Sequence, residues 1–381
     1  MPQKNTSYRP TEPMSYKKRA GYLTEQVLHW IQSEDSKVSA AIIATEELGH
    51  FHSEDIHYSL RCLEEQLIRQ DLIQWVHRLK LPEVPSFESQ ETICCIHAGN
   101  LPLVGLQDLL AVLVSGHRYV GKLSTKDPYL LESLLGFLSN GLFGDQIQSW
   151  SRTTIQEVFE PYDRVLFSGS SDSLEHIQYA FYQSGQATPT TQWLNRTASF
   201  SLYYCESMSE FNEQKEHLID AIFRHQGRGC RSVAVIAAPF GLNQIADHFN
   251  QALSNFFEQH PGRAVALKQT PQENRLSPKY QQAFNIAVQR DSIQWGNWSI
   301  EEHTSTHAPT PYHSNQMYWL KVDPRTLPDL IEGYGGKLQT VYTAEETHLT
   351  DPLRTAQCPA LYWKADGIDT LEYLCSNTIR A

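Results

Sequence analysis

The chain is short of positive charge. Lysine and arginine number 31 against 43 aspartates and glutamates, giving a formal net charge of -12 over 381 residues. Nucleic acid is therefore disfavoured as the main partner, because that role calls for a basic face. Any phosphate site has to be locally basic against this acidic background. No apolar run is long enough to span a membrane, and no secretory signal peptide is visible. The seven cysteines, Cys62, Cys94, Cys95, Cys205, Cys230, Cys358 and Cys375, are odd in number, scattered, and lack metal-ligand spacing. Together these absences read as a reduced, cytoplasmic protein without a metal site, and the sequons at Asn195 and Asn297 are then chance matches. Internal repeats, low-complexity tracts and the Gly-x-Gly-x-x-Gly fingerprint are also missing. What remains, 40% hydrophobic and 19% charged, is the make-up of a globular enzyme, long enough for about two or three lobes.

Periodicity organises the chain into a helical opening followed by an α/β alternation. A polar arm with Pro10 and Pro13 leads into a predicted helix over 16–33, with Leu23, Val27, Leu28 and Ile31 at helical spacing. Further helices are predicted over 53–62 and through Leu67, Leu72, Trp75, Val76 and Leu79, ending at Pro82. After Pro82 and Pro85, strands are predicted over 92–97, 118–123, 164–167 and 198–204. Helices are expected over 103–114, 129–142, 174–182 and 210–225. The alternation restarts with strand 232–238, helix 242–257, strand 264–267 and helix 278–290. The stretch 291–323, with Pro309 and Pro311, is rich in strand formers but has no clean period. Helix 327–333, strand 338–343 and helix 368–376 close the chain. Short apolar strands separated by helices imply parallel sheets covered on both faces.

The most distinctive stretch is Ala221-Ile-Phe-Arg-His-Gln-Gly-Arg-Gly-Cys-Arg-Ser-Val-Ala-Val-Ile-Ala237. Gly227 and Gly229 permit a backbone that presents Cys230 at a turn, and Arg228 and Arg231 flank a thiol whose thiolate they would favour. A small buried cysteine is the competing local reading. Three further loops have the look of a nucleotide cleft. In His97-Ala-Gly-Asn-Leu-Pro102, Asn100 either donates to an oxyanion or caps the following helix. Gly121-Lys-Leu-Ser-Thr-Lys-Asp-Pro128 gathers Lys122, Ser124 and Lys126, suited to a ribose or phosphate, or forms a solvated loop. Phe167-Ser-Gly-Ser-Ser-Asp172 runs from a strand through Gly169 into a helix, an arrangement that offers backbone N–H groups to a pyrophosphate. His225 either assists proton transfer or interacts with a helix C-terminus. His303, His307 and His313 have no acidic partner at metalloprotease spacing. Cys94 and Cys95 belong to a core strand.

In this order, the segments HAGNLPLVGLQDLLAVLVSGH, KLSTKDP, VLFSGSSDS, IFRHQGRGCRSVAV and AQCPALYWKADGIDTLEYL resemble the aldehyde dehydrogenase superfamily. They resemble most its fatty acyl-CoA reductase branch, the LuxC family, from about Pro82 to the C-terminus. The resemblance implies an aldehyde-dehydrogenase-like α/β fold of two doubly wound parallel-sheet lobes with an N-terminal helical segment. The expected divisions are a helical segment over 1–85, a cofactor lobe over 86–226, a catalytic lobe over 227–345, and a segment over 346–381 returning to the cofactor lobe. It implies that Cys230 is the nucleophile and Asn100 the oxyanion donor. Lys122 would contact the adenosine ribose, Ser124, Thr125 and Lys126 would belong to the same loop, and Gly169 with Ser170 would line the pyrophosphate.

The implied activity is that of an acylating aldehyde dehydrogenase, reducing a fatty acyl-CoA or acyl-carrier-protein thioester with NADPH. The partners it implies are the acyl carrier and an acyl-transferring or synthetase protein, with a homo-oligomer left open. Two departures from the wider superfamily bear on this. The Glu-Leu-Gly-Gly segment that activates water in hydrolytic members corresponds here to Trp193-Leu-Asn-Arg-Thr-Ala-Ser199, with no glutamate. Thr125 stands where NAD-selective relatives carry a glutamate, so a 2′-phosphate is not repelled and Lys126 can pair with it. A third departure, Gln226-Gly-Arg228, puts an added cation near the thiol, where it either tunes the thiol pKa or faces solvent. The competing functions are a cysteine acyltransferase and a non-catalytic scaffold in a fatty-acid or pigment-synthesis complex.

Overall fold

The computed structural model describes residues 14–33, 36–49, 51–81, 90–152, 161–262, 276–296, 298–303, 310–311 and 316–379. The expected arm with Pro10 and Pro13, the stops at Pro82 and Pro85, strand 264–267, Pro309, Asn297, His307 and His313 lie outside the described residues. The chain divides into two compact units, Met1–Thr197 with Ala360–Ala381, and Ala198–Pro359. The expected cut at 226/227 therefore falls inside the second unit, and the expected helical segment 1–85 belongs to the first.

The first unit opens with α1 (Tyr16–Gln32), capped by Ser15, whose hydroxyl accepts from the Lys18 N–H. Tyr16, Ala20, Leu23, Val27 and Trp30 form its buried stripe. Helix α2 (Ser36–Glu47) was not anticipated; the strand-forming run Ala-Ile-Ile-Ala-Thr within it hides the helical period. Helices α3 (Ser53–Ile68) and α4 (Asp71–Arg78) are separated by Gln70 in the left-handed region at φ 60°. The expected third helix is consequently split, with Leu67 in α3 and Leu72, Trp75 and Val76 in α4.

Five parallel strands follow: β1 (Thr92–Ile96), β2 (Arg118–Lys122), β3 (Ile147–Ser151), β4 (Arg164–Ser168) and β5 (Gln192–Arg196), in the order β3-β2-β1-β4-β5. The order reverses between β1 and β4, and crevices at the carboxyl ends of strands form at such switch points. Helices α5 (Leu106–Ser115), α6 (Tyr129–Leu138) and α7 (Ser171–Gln183) provide the crossovers. One apolar cluster joins Leu23, Trp75, Leu109, Leu134 and Leu166, while Cys94, Val165, Phe167 and Phe181 form another.

The last segment returns to this unit as α12 (Thr370–Ile379) and is held by polar pairs. Trp75 Nε1 donates to Asp369 at 2.8 Å, and Asp71 accepts from the Leu361 N–H at 3.2 Å. Gln107 donates to the carbonyls of Leu361 and Trp363, at 2.9 and 2.6 Å. Buried Arg164 pairs with Glu91 at 2.8 Å and donates to the Tyr373 carbonyl. Leaving one such buried group unpaired costs about 1–3 kcal/mol, so α4 and α5 fix the place of this segment.

The second unit is a seven-stranded sheet in the order β12-β11-β6-β7-β10-β9-β8. Its strands are β6 (Phe200–Tyr204), β7 (Val233–Ala238), β8 (Ser292–Trp295), β9 (Trp298–His303), β10 (Gln316–Lys321), β11 (Leu338–Thr343) and β12 (Asp351–Pro352). The aperiodic stretch 291–323 resolves into β8, β9 and β10. All pairings are parallel except β8–β9, a hairpin turning at Gly296, φ 57°. Helices α8 (Met208–Phe223), α9 (Ala246–Gln259), α10 (Leu276–Ala287) and α11 (Leu327–Tyr334) complete the unit. One apolar cluster gathers Phe211, Phe223, Phe249 and Trp319; another gathers Phe200, Leu202, Leu320 and Tyr334. Because β6 pairs with β7 and β11, α8 goes with the cysteine strand, and the break between sheets sets the division.

Candidate active site

Cys230 occupies a turn immediately before the amino end of β7 and is partly exposed. Among the seven cysteines only Cys230 and Cys358 are not buried. Burial pushes the Cys205 and Cys375 thiols up to about 12, and raises Cys94 and Cys95 further. Those four are unreactive core groups.

The backbone leading to Cys230 is unusual. After α8 ends at Phe223, His225, Gln226 and Gly227 adopt φ of 54°, 57° and 66°, three successive left-handed residues. Glycine takes this conformation at little cost, whereas histidine and glutamine are strained by about 1 kcal/mol or more each. His225 is buried in this bend, two residues beyond the end of α8, with Arg224 as the cap. The Arg228 N–H then donates to the His225 carbonyl at 3.1 Å, and the Ser232 N–H to the Gly229 carbonyl at 2.9 Å. Two buried side chains close the turn. Ser201 Oγ, on β6, donates to the Cys230 carbonyl at 2.9 Å, and Gln357 donates to the Ala221 carbonyl at 2.8 Å. Neither contact was anticipated from the sequence; the signal was a serine inside the apolar strand Phe200–Tyr204.

In the first unit, every other predicted site residue lies at or just beyond the carboxyl end of β1, β2 or β4. Asn100 lies in the loop between β1 and α5, partly buried. It is not the helix cap, because Gly105 at φ 91° holds that position and Leu103 is already left-handed at φ 61°. The start of the loop is held by His97, whose N–H donates to the Lys122 carbonyl at 3.0 Å and whose Nε2 lies 2.8 Å from the Tyr119 hydroxyl. Burial lowers the His97 pKa to about 4, so the imidazole is neutral near pH 7. Gly99 is required by packing: a Cβ there would overlap the Ser124 hydroxyl, which brings the β1 and β2 loops into contact.

Lys122 is the last residue of β2 and is partly buried. Its ammonium donates to the carbonyls of Leu123 and Arg152, both at 2.8 Å, tying the ends of β2 and β3 together. Ser124 Oγ accepts from the Lys126 N–H at 3.1 Å, and Thr125 and Lys126 are exposed. The Gly169 N–H donates to the Arg196 carbonyl at 3.1 Å, and a Cβ at Gly169 would crowd the Phe167 ring. Ser170 caps α7 by accepting from the Ser173 N–H at 3.2 Å. Arg152, absent from the sequence reading, pairs with Glu132 and lies over the Tyr129 ring at 4.8 Å. Arg196 forms a largely buried ion pair with Asp108 and donates to Thr370.

His303 lies 3.8 Å from Glu301, and among the described residues no group of three or more His, Cys, Asp or Glu side chains converges to hold a metal. No helix among them is long and apolar enough to cross a membrane.

These two sheets define an aldehyde-dehydrogenase-like fold. Among solved structures, a betaine aldehyde dehydrogenase from Staphylococcus aureus in complex with NAD+ is similar over 90% of this chain and 72% of its own, at 13% identity and a TM-score of 0.59. An oxidoreductase from Marinobacter aquaeolei is similar over 93% of this chain and 77% of its own, at 12% identity and 0.59. The bifunctional proline utilization A protein matches 86% of this chain at 14% identity and 0.59, but this chain spans only 36% of its length. No family model and no curated protein matches the chain.

Proposed function

We propose that the protein is an NADPH-dependent reductase of acyl thioesters, working through an acyl-Cys230 intermediate. The observation that carries this reading is the partly exposed thiol held in a clamped turn ahead of β7 in a fold of the aldehyde dehydrogenase type. The carbonyl carbon of the acyl thioester is attacked by the Cys230 thiolate, and the carrier thiolate leaves. The Cys230 backbone N–H and, by the LuxC resemblance, the Asn100 amide stabilise the oxyanion. Residues 193–199 contain no glutamate, which favours retention of the acyl group over hydrolysis.

The residues at the first sheet's carboxyl ends fit a dinucleotide. The glycine at 169, a helix amino end at Ser170 and the exposed Lys126 stand where the strand order reverses or beside it. When bound, NADPH supplies the hydride that converts the acyl group to aldehyde. Lys126, with no carboxylate at Thr125, favours the 2′-phosphate by about tenfold over NADH. The carrier is acyl-CoA or an acyl-carrier protein, an acyl-transferring or synthetase protein supplies it, and the setting is cytoplasmic.

The test is mass spectrometry of the intact protein after acyl-CoA addition, followed by NADPH or NADH. The acyl-enzyme should persist without reductant and discharge as aldehyde, faster with NADPH, while Cys230→Ala should take up no acyl group. Release of free fatty acid without NADPH, or acylation of Cys230→Ala at the wild-type level, would sink the reading. Acyl transfer to another acceptor with no nicotinamide oxidation would leave an acyltransferase instead.

A further inference from the structure

We propose that Ser201 is a positioning residue for Cys230 and that Tyr342 is the anchor that orients Ser201. The inference rests on the reading of Cys230 as nucleophile, and it concerns groups that never touch substrate. Ser201 is fully buried at the second residue of β6, yet it is polar in a strand that reads Phe-Ser-Leu-Tyr-Tyr. Its backbone N–H donates to the Ser232 carbonyl at 3.0 Å and its hydroxyl to the Cys230 carbonyl at 2.9 Å. One residue thus grips the turn at the cysteine and again two residues later. The register between β6 and β7 shifts between Ser201 and Leu202, so regular pairing gives way where the side chain takes over.

On the neighbouring strand β11, Tyr342 is buried to 1% exposure and hydrogen-bonds Ser201. Arg231, Asp351 and Cys230 are the charged and titratable groups that face its phenol, and burial raises its pKa, so the hydroxyl keeps its proton near pH 7. A single hydroxyl proton on Ser201 serves the Cys230 carbonyl. The Tyr342 hydroxyl beside it restricts how the Ser201 side chain can turn. The Cys230 carbonyl carbon and the thiol-bearing Cβ share one α-carbon, so holding the carbonyl in place limits how that α-carbon can turn in its frame.

The experiment is single-turnover acylation of the full chain by acyl-CoA, followed by intact mass, for Ser201→Ala, Tyr342→Phe and the double variant. Ser201→Ala should lower the saturating acylation rate by about tenfold, the loss expected for one hydrogen bond, with half-saturation unchanged. Tyr342→Phe, which keeps the ring, should lower it by about threefold, and the double variant should be no slower than Ser201→Ala alone. A purely structural role would lower the melting temperature but leave the saturating rate of the folded protein unchanged, and that result overturns the inference. Additive losses in the double variant overturn the part assigned to Tyr342. If Ser201→Ala fails to fold, the Tyr342→Phe rate decides alone, and a wild-type rate rejects the proposal. If wild type itself takes up no acyl group on Cys230, the functional reading fails before this one is reached.

Discussion

The two sheets place their candidate chemistry at opposite ends of their strands. In the first unit Asn100, Ser124, Lys126, Gly169 and Ser170 follow the carboxyl ends of β1, β2 and β4. In the second, Cys230 precedes the amino end of β7. The means of support differ as well. Close packing at Gly99 and a helix cap at Ser170 shape the first set, whereas Cys230 follows a left-handed bend and is gripped through its own carbonyl. Loops of the first kind suit a ligand that lies along the sheet edge, and a turn of the second kind suits one atom that has to be aimed.

The largest effect expected from breaking this comparison comes from Asn100→Ala. If the first unit supplies the oxyanion donor as well as the cofactor loops, acylation and reduction should each slow by about 10²–10³. Stopped-flow acylation and hydride-transfer rates measure the two steps separately. Reduction slowed with acylation intact would confine the first unit to cofactor binding, and the catalytic role of Asn100 would be withdrawn.

A smaller effect tests the packing of the first unit. Gly99→Ala forces a Cβ onto the Ser124 hydroxyl and should cost about 1–3 kcal/mol of stability while weakening NADPH binding. Adding Ser124→Gly removes both clashing atoms and should restore much of the loss in thermal unfolding. A double variant as impaired as Gly99→Ala alone would mean that the two loops are not coupled through this contact.

Much of this architecture was legible in the chain. Apolar runs such as Arg164-Val-Leu-Phe-Ser168 and Val233–Ala238 announced their strands, and the Gly-Arg-Gly-Cys turn announced itself. Strands β3 and β5 were not read, because Ile-Gln-Ser-Trp-Ser and Gln-Trp-Leu-Asn-Arg carry little apolar signal and become strands by pairing with β2 and β4. Asn100 was read as opening a helix that starts six residues later, since the left-handed Leu103 and Gly105 leave no pattern that separates a loop from a first turn. The Ser201 grip was invisible for a different reason. It joins residues 29 apart in the chain, and only the pairing of β6 with β7 brings them together.

The smallest expected effect is a pH profile in which two groups of the first unit oppose one another. Burial lowers His97 to about 4 from its ordinary 6.5, so its neutral form is the native one. Its contribution to stability is present above pH 6.5 and is lost as pH falls toward 4. Asp127 is shifted the other way. Burial raises it to about 6 from 3.8, against hydrogen bonds from Thr45 and the Tyr129 N–H. Its contribution is present below pH 3.8 and is lost as pH rises through 6. The two slopes run in opposite directions across nearly the same window and should largely cancel in the wild-type protein. Thermal unfolding of Asp127→Asn should therefore show stability rising between pH 3.8 and 6 relative to wild type, by on the order of 1 kcal/mol. His97→Asn should show the opposite slope, whatever constant offset its lost packing adds. Because each variant is referred to wild type, the remaining titrating groups drop out of the comparison. An Asp127→Asn profile parallel to wild type would mean that the carboxyl titrates alike in the folded and unfolded chain, and the account of its burial would be wrong.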